Sequence, residues 1–244
     1  MKRRIVFILV PVLTVVVARE LSRVPEALSR VEAFRITELR LEGNRFLTRE
    51  EAAKTAAIST MASIWDDFGV VEERLRLHPL VEEVRAKRRF PGTLLLEVVE
   101  VQPVALVPTP TLEPVDASGQ LLPIDPAEHQ LDLPIIGVRK NPADDGLSAA
   151  ERRLVAGEIA SLAQGHPGLL AQISEVVLDG RGDLWAQLWG RESTGDLWEM
   201  PVTLRFHPSL STRRLQEGLR VLGDAIGRFE GAVVADLASS EQHR

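Results

Sequence analysis

From Ile5 to Ala18 the chain is apolar, broken only by Pro11 and Thr14, and Lys2, Arg3 and Arg4 stand before it. Cations ahead of an apolar run keep the start of a chain in the cytoplasm and send the remainder outward. The 14 residues of the run would make about 21 Å of helix against a hydrocarbon core of about 30 Å. Two readings fit this segment. A cleaved signal peptide has the same charge and apolar length, with Val16 and Ala18 as the small residues before a cut. A retained anchor would continue past the run, with Arg19, Glu20 and Arg23 near the interface. Both export the rest of the chain. Leu21, Val24, Leu28, Val31 and Phe34 then recur at three- and four-residue steps, a helical stripe that includes Pro25.

Alternation at Ile36, Leu39 and Leu41 predicts a strand over 36–42, ended by Gly43 and Asn44, which tolerate positive φ. Thr48 with Glu51 three residues on is a capping-box pattern for a helix to about Ile58. A second helix is expected over 70–77, ending before Pro79. Strands are expected over 81–90 and 93–101, joined at Pro91-Gly92. In the first of these, Val84 and Ala86 point inward and Lys87, Arg88 and Arg89 outward. The order is strand, helix, helix, strand, strand. From Pro103 the character changes, and the proline-rich text from Pro108 through Pro114 reads as an ordered crossing or a short linker between domains. Asp116 to Gly119 reads as a turn, and Ser148 with Glu151 caps a helix over 147–163. Strands are expected over 173–178, 184–188 and 200–206, a long helix over 211–229, a last strand from Ala232 to Leu237, and a polar tail. The fold class is α+β: an amino-terminal transmembrane helix, a β-α-α-β-β domain, and a second mixed α/β domain with an antiparallel sheet.

The formal charge is −6, and without the three amino-terminal cations 26 basic residues face 35 acidic ones, a balance of −9. An acidic surplus argues against nucleic-acid binding, which needs a basic face. The chain has no cysteine, which excludes disulfides, thiolate catalysis and cysteine-ligated zinc. His78, His129, His166, His207 and His243 show no helical ligand spacing, and three of them precede proline. Arg181-Gly182-Asp183 reads as a hairpin turn, and Arg85 with Lys87 to Arg89 as the solvated face of a strand. Glu97 and Glu100 fall on opposite strand faces and cannot flank one glycosidic bond. No Gly-x-Ser-x-Gly or phosphate-cradling glycine loop occurs. Trp185 and Trp189 share a strand face and are assigned to core packing. No enzyme, cofactor, metal or small-molecule substrate is expected.

In its order of elements the first module resembles a POTRA domain. Its details resemble the FtsQ/DivIB family of bacterial division proteins. The resemblance is carried by Leu41-Glu42-Gly43-Asn44, by His78-Pro79-Leu80-Val81 with Val84, and by Arg88-Arg89-Phe90-Pro91-Gly92-Thr93-Leu94. It continues through Glu100-Val101-Gln102-Pro103-Val104-Ala105, Val115-Asp116 with Gly119, Leu133-Pro134 with Gly137, and Val234, Asp236 and Leu237. The resemblance implies a cytoplasmic start (1–4), a retained anchor (5–22), a POTRA domain (34–103), an FtsQ-type β domain (104–238) and a polar tail (239–244). Gly43, Asn44, Pro91, Pro103, Asp116 and Gly119 are its structural motif positions. It implies a scaffold in the cell (inner) membrane, enriched at the septum, that binds divisome proteins of the FtsB/DivIC and FtsL type by pairing with an edge strand. In the family an arginine, an aromatic residue and a further strand follow the position of Leu237; here Ala238 and Ser239 stand there. Docking is therefore expected on Ala232, Val233, Val234, Ala235, Asp236 and Leu237, with Arg181 supplying charge nearby. Proline at Val233 or Ala235 is expected to block it. The alternatives are a POTRA-containing export or outer-membrane assembly factor, which would carry a barrel of many strands, and a secreted protein that binds or cleaves cell-wall material.

Overall fold

The computed structural model describes residues 31–109, 111–139, 147–188, 202–208 and 233–237, together with Leu28 and positions 214, 217, 218, 220 and 221. The anchor, the cytoplasmic start, the polar tail and most of the helix expected over 211–229 lie outside the described residues. No helix among the described residues is long and apolar enough to cross a membrane. The chain forms two compact units that divide between Val101 and Gln102.

The first unit runs β1 (Glu38–Glu42), α1 (Arg49–Ala56), α2 (Gly69–Arg76), β2 (Val81–Arg89) and β3 (Thr93–Glu100). Thr48 and Glu51 cap α1 reciprocally, side chain to backbone in both directions, which satisfies two donors that the first turn otherwise orphans. β3 is the central strand, parallel to β1 and antiparallel to β2. Leu94, Leu96 and Val98 alternate onto one face and are buried with Ala52, Ala56, Leu75 and Val84. Leu95 faces the other way yet is also buried, flanked in register by Arg40 and Lys87, whose alkyl stems can cover it while their charges stay wet.

A buried carboxylate fixes the loop after β1. Glu100 is 3% exposed, and its oxygens accept the backbone N–H groups of Arg45 at 2.8 Å, Phe46 at 3.0 Å and Leu47 at 2.7 Å. Gly43 enters this loop at φ +84, and a Cβ there would run into the Val98 carbonyl oxygen. Asn44 closes it by donating to Leu47 O at 2.8 Å. The Phe90–Pro91 peptide in the β2–β3 turn is cis.

The second unit holds β4 (Ala105–Pro108), β5 (Leu112–Val115), β6 (Ile135–Arg139), α3 (Ala149–Gly165), β7 (Ile173–Asp179), β8 (Leu184–Leu188), β9 (Val202–Phe206) and β10 (Val233–Asp236). Its seven strands lie in the order β10-β9-β8-β7-β6-β4-β5. The expected antiparallel sheet is corrected to a mixed one: β10–β9, β4–β6 and β6–β7 are parallel. Tight turns produce the antiparallel pairs, whereas the long connections through α3 and through 207–232 permit parallel ones. The proline-rich linker is corrected as well, because β4 and β5 form a hairpin within the sheet. Val155, Ala156 and Ile159 of α3 pack on Ile136, Val176, Leu178, Leu184, Ala186 and Leu204 to make the core. Ser148 and Glu151 cap α3 reciprocally. Asp116 Oδ1 accepts the N–H groups of Ser118 and Gln120, shaping the turn that Gly119 completes at φ +76. A Cβ on Gly119 would lie 2.5 Å from the backbone N of Arg153, on α3.

Candidate functional site: the β10 edge

Each sheet ends in two strands, and the four edges differ in how much backbone they leave open. On β2, the N–H of Ala86 donates to Glu72 Oε1 at 2.8 Å, and Arg76 Nη2 donates to Val84 O at 3.4 Å. Glu72 and Arg76 are themselves paired along α2, so helix side chains close that edge. On β5, Pro114 offers no donor, and its carbonyl accepts the N–H of Leu122 at 2.8 Å. Residues 120–122 thus fold back over the outer side. β1 carries Glu38, Arg40 and Glu42 in alternation, all exposed, a charge pattern that discourages strand addition.

The β10 edge is different. Val233, Val234, Ala235 and Asp236 pair with Val202, Thr203, Leu204 and Arg205 of β9, and no strand among the described residues lies on the other side. Leu237 N donates to Arg205 O at 2.8 Å. Since backbone groups alternate sides along a strand, Val233 and Ala235 also face β9, while the N–H and C=O of Val234 and Asp236 face away from it. Val234 is 59% exposed.

A polar cluster fastens the far end of this strand. Trp185, Arg205 and Asp236 stand side by side in register across β8, β9 and β10. Arg205 donates to Asp183 Oδ2 from Nη2 at 2.5 Å and to Asp236 Oδ2 from Nη1 at 3.0 Å. Its guanidinium lies over the Trp185 ring, 5.4 Å from the centroid, a cation–π geometry. The hydrogen bond to Asp183 raises the Arg205 pKa further. His207 Nδ1 lies 3.2 Å from Asp183 Oδ1.

Asp179 shapes the adjoining turn. Its Oδ1 accepts the N–H groups of Arg181 and Asp183, and its Oδ2 accepts Trp185 Nε1–H at 3.0 Å. Burial pushes the Asp179 carboxyl up, but the Trp185 donor and the two backbone donors outweigh it and hold the pKa below the ordinary value.

Of the residues singled out from sequence, Val233, Val234, Ala235, Asp236 and Leu237 lie on this edge, and Ala232 lies outside the described residues. Arg181 is exposed in the β7–β8 turn, two residues from Asp183, which shares Arg205 with Asp236. Trp185 is corrected: Leu184, Ala186 and Leu188 are its buried neighbours, and it sits half-buried on the opposite face. Trp189 lies outside the described residues. Arg88 is no mere surface charge, for it donates to Ile64 O and Asp66 O and lies over the Phe68 ring. Sequence reading missed the roles of Asp179, Asp183 and Arg205. The one local signal was the Asp-Gly-Arg-Gly-Asp turn itself.

Residues 34–100 match the family model described as POTRA domain, FtsQ-type. The chain is 30% identical over 152 residues to the cell division protein FtsQ of Myxococcus fulvus, covering 61% of this chain and 54% of the relative. The FtsQ of Syntrophotalea carbinolica is 27% identical over 154 residues, with 61% and 48% covered. The FtsQ of Anaeromyxobacter sp. strain K is 28% identical over 197 residues, with 74% and 63% covered. The chain thus spans between 48% and 63% of the length of these curated relatives. The β-α-α-β-β unit thus matches the FtsQ-type POTRA domain, and the chain is similar to relatives that share the name cell division protein FtsQ.

Proposed function

We propose that the chain is a non-enzymatic scaffold of bacterial cell division, held in the cell membrane by residues 5–22 with residues 1–4 in the cytoplasm. Its POTRA domain (34–103) and β domain (104–238) work outside the membrane, ahead of a polar tail (239–244). It recruits other divisome proteins to the septum, and single-pass coiled-coil proteins of the FtsB/DivIC and FtsL type pair with the outer side of β10. The observation that carries this reading is the contrast among the sheet edges. β2 and β5 are closed by other parts of their own units, β1 is charged at every second position, and β10 leaves Val234 and Asp236 facing outward. A partner strand gains main-chain hydrogen bonds there without any special side-chain chemistry. The shared name of the relatives supports the setting in division.

Capture of membrane partners with the full chain tests the reading. The expected result is co-purification of small single-pass coiled-coil proteins, lost when the β10 edge is blocked. Depletion of the protein that left septation and partner recruitment intact would exclude it.

A further inference from the structure

Phe34, Trp65 and Phe90 form a closed trio of edge-on ring contacts, with centroids 5.9, 6.2 and 5.5 Å apart. Three separate stretches bring them together: the turn before β1, the connection between α1 and α2, and the β2–β3 turn. Backbone bonds hold the first two in place, Ile36 N to Ala62 O at 2.8 Å and Ile64 N to Phe34 O at 2.9 Å. Arg88 Nε adds a bond to Ile64 O at 2.6 Å.

The trio is not core. Phe90 is 62% exposed, Met61 on the same connection as Trp65 is 63% exposed, and Val31 is exposed beside the turn. Trp65 Nε1 is enclosed without a hydrogen-bond partner. Apolar side chains held out on a fixed backbone mark a contact surface.

Its position says what it meets. Because β1 and β3 are parallel and β2 runs against them, the start of β1, the end of β2 and the β2–β3 turn share one end of the sheet. Leu77 lies at the opposite end, before β2 begins, about 26 Å away at the usual rise of a strand. The trio's end is where the chain enters from the apolar run that closes at Ala18. Residues 19–30 can span at most about 40 Å, so an anchored chain keeps the patch within that reach of the bilayer. The rim carries both signs, Arg35 and Arg89 beside Glu32 and Asp66, so charge gives no preference for anionic headgroups. The exposed Phe90 and Met61 side chains supply the apolar contact, backed by Phe34 and Trp65.

We infer that this end of the POTRA domain rests on the lipid surface, with Phe90 and Met61 among the headgroups. The domain is thereby held upright on the membrane instead of swinging on its tether. This rests on the retained anchor proposed above.

The chain has no cysteine, so Met61→Cys and Leu77→Cys each accept a single fluorophore at an exposed site. The 244-residue chain is reconstituted into phosphatidylcholine vesicles, and each label is challenged with headgroup-spin-labelled lipid and with aqueous iodide. The expected result is lipid quenching and iodide protection at position 61, the reverse at 77, and no change when anionic lipid is added. Equal quenching at the two positions would overturn the inference, as would protection at 61 that appears only with anionic lipid. Iodide protection at 61 without lipid quenching would mean that protein covers the patch, and overturns it too. Release of the protein by alkaline carbonate would instead remove the anchor, and the docking with it.

Discussion

Arg205 Nη1 donates to Asp236 Oδ2 at 3.0 Å, and through Nη2 the same guanidinium holds Asp183 in the β7–β8 turn. The position of the edge strand is therefore tied to a turn two strands away. Replacing Arg205 by Ala removes a donor that two carboxylates share, one of them largely enclosed. Asp236→Asn leaves the Asp183 contact intact. The expected order of urea midpoints is wild type, then Asp236→Asn, then Arg205→Ala, and amide exchange at Ala235 and Leu237, which face β9, should quicken most in Arg205→Ala. Unchanged exchange in that variant would mean that backbone pairing alone fixes β10.

Glu100 tests a different kind of constraint. Its carboxylate accepts three successive backbone donors from the loop that Gly43 opens. Glu100→Ala leaves the two buried donors of Phe46 and Leu47 unpaired, each costing about 1–3 kcal/mol, so the first unit should lose about 2 kcal/mol or more. Glu100→Gln keeps one acceptor oxygen and should lose clearly less. The urea midpoint of the full chain, followed by Trp65 fluorescence with Trp185, Trp189 and Trp198 replaced by Phe, reads both. Equal loss in the two variants would mean that charge, and not the count of acceptors, organises the loop.

What could be read from sequence and what could not divides along local and distant chemistry. Thr48 with Glu51 and Ser148 with Glu151 were legible because a capping box is complete within four residues. The 81–100 hairpin was legible from alternation and its Pro-Gly turn. The β4–β5 hairpin was hidden by Pro108 and Pro114, which read as a linker. Pro108 ends β4, and Pro114 sits on an edge strand, where a missing N–H breaks no ladder. β6 was missed because Ile135–Arg139 is short and is recognisable as a strand only beside β4 and β7. Trp185 was assigned to core packing on the face it shares with Trp189, whereas alternation with the buried Leu184 and Ala186 turns it to the other face. The edge itself was legible at Val234 and Asp236. The cluster that fastens it was not, because Arg205 is 22 residues from Asp183 and 31 from Asp236.

The Asp179 carboxyl gives a pH dependence with a definite sign. Its folded pKa lies below the ordinary value of 3.8, so the turn gains stability wherever the unfolded chain would already be ionised. That gain is complete well above pH 3.8 and is lost as pH falls through the folded pKa. The indole N–H resonance of Trp185, which donates to Asp179 Oδ2, should shift with a midpoint below 3.8. A midpoint at or above 3.8 would contradict the hydrogen-bond account of the turn.

The β10 edge yields the sharpest test of docking, and the ladder changes which residues to alter. Proline at Val233 or Ala235 was expected to block a partner, but those residues face β9. Ala235→Pro removes an interior ladder donor and should cost about 2 kcal/mol or more, through the lost bond and the unpaired acceptor it leaves. Val234→Pro removes a donor that faces outward, at an edge where proline is tolerated, and should cost about 1 kcal/mol or less. If a partner strand pairs with β10, Val234→Pro should abolish capture of the coiled-coil partner while leaving the urea midpoint nearly unchanged. Ala235→Pro should lower both together. Full capture by a folded Val234→Pro protein would move the docking site off this edge, with β1 as the next edge to examine.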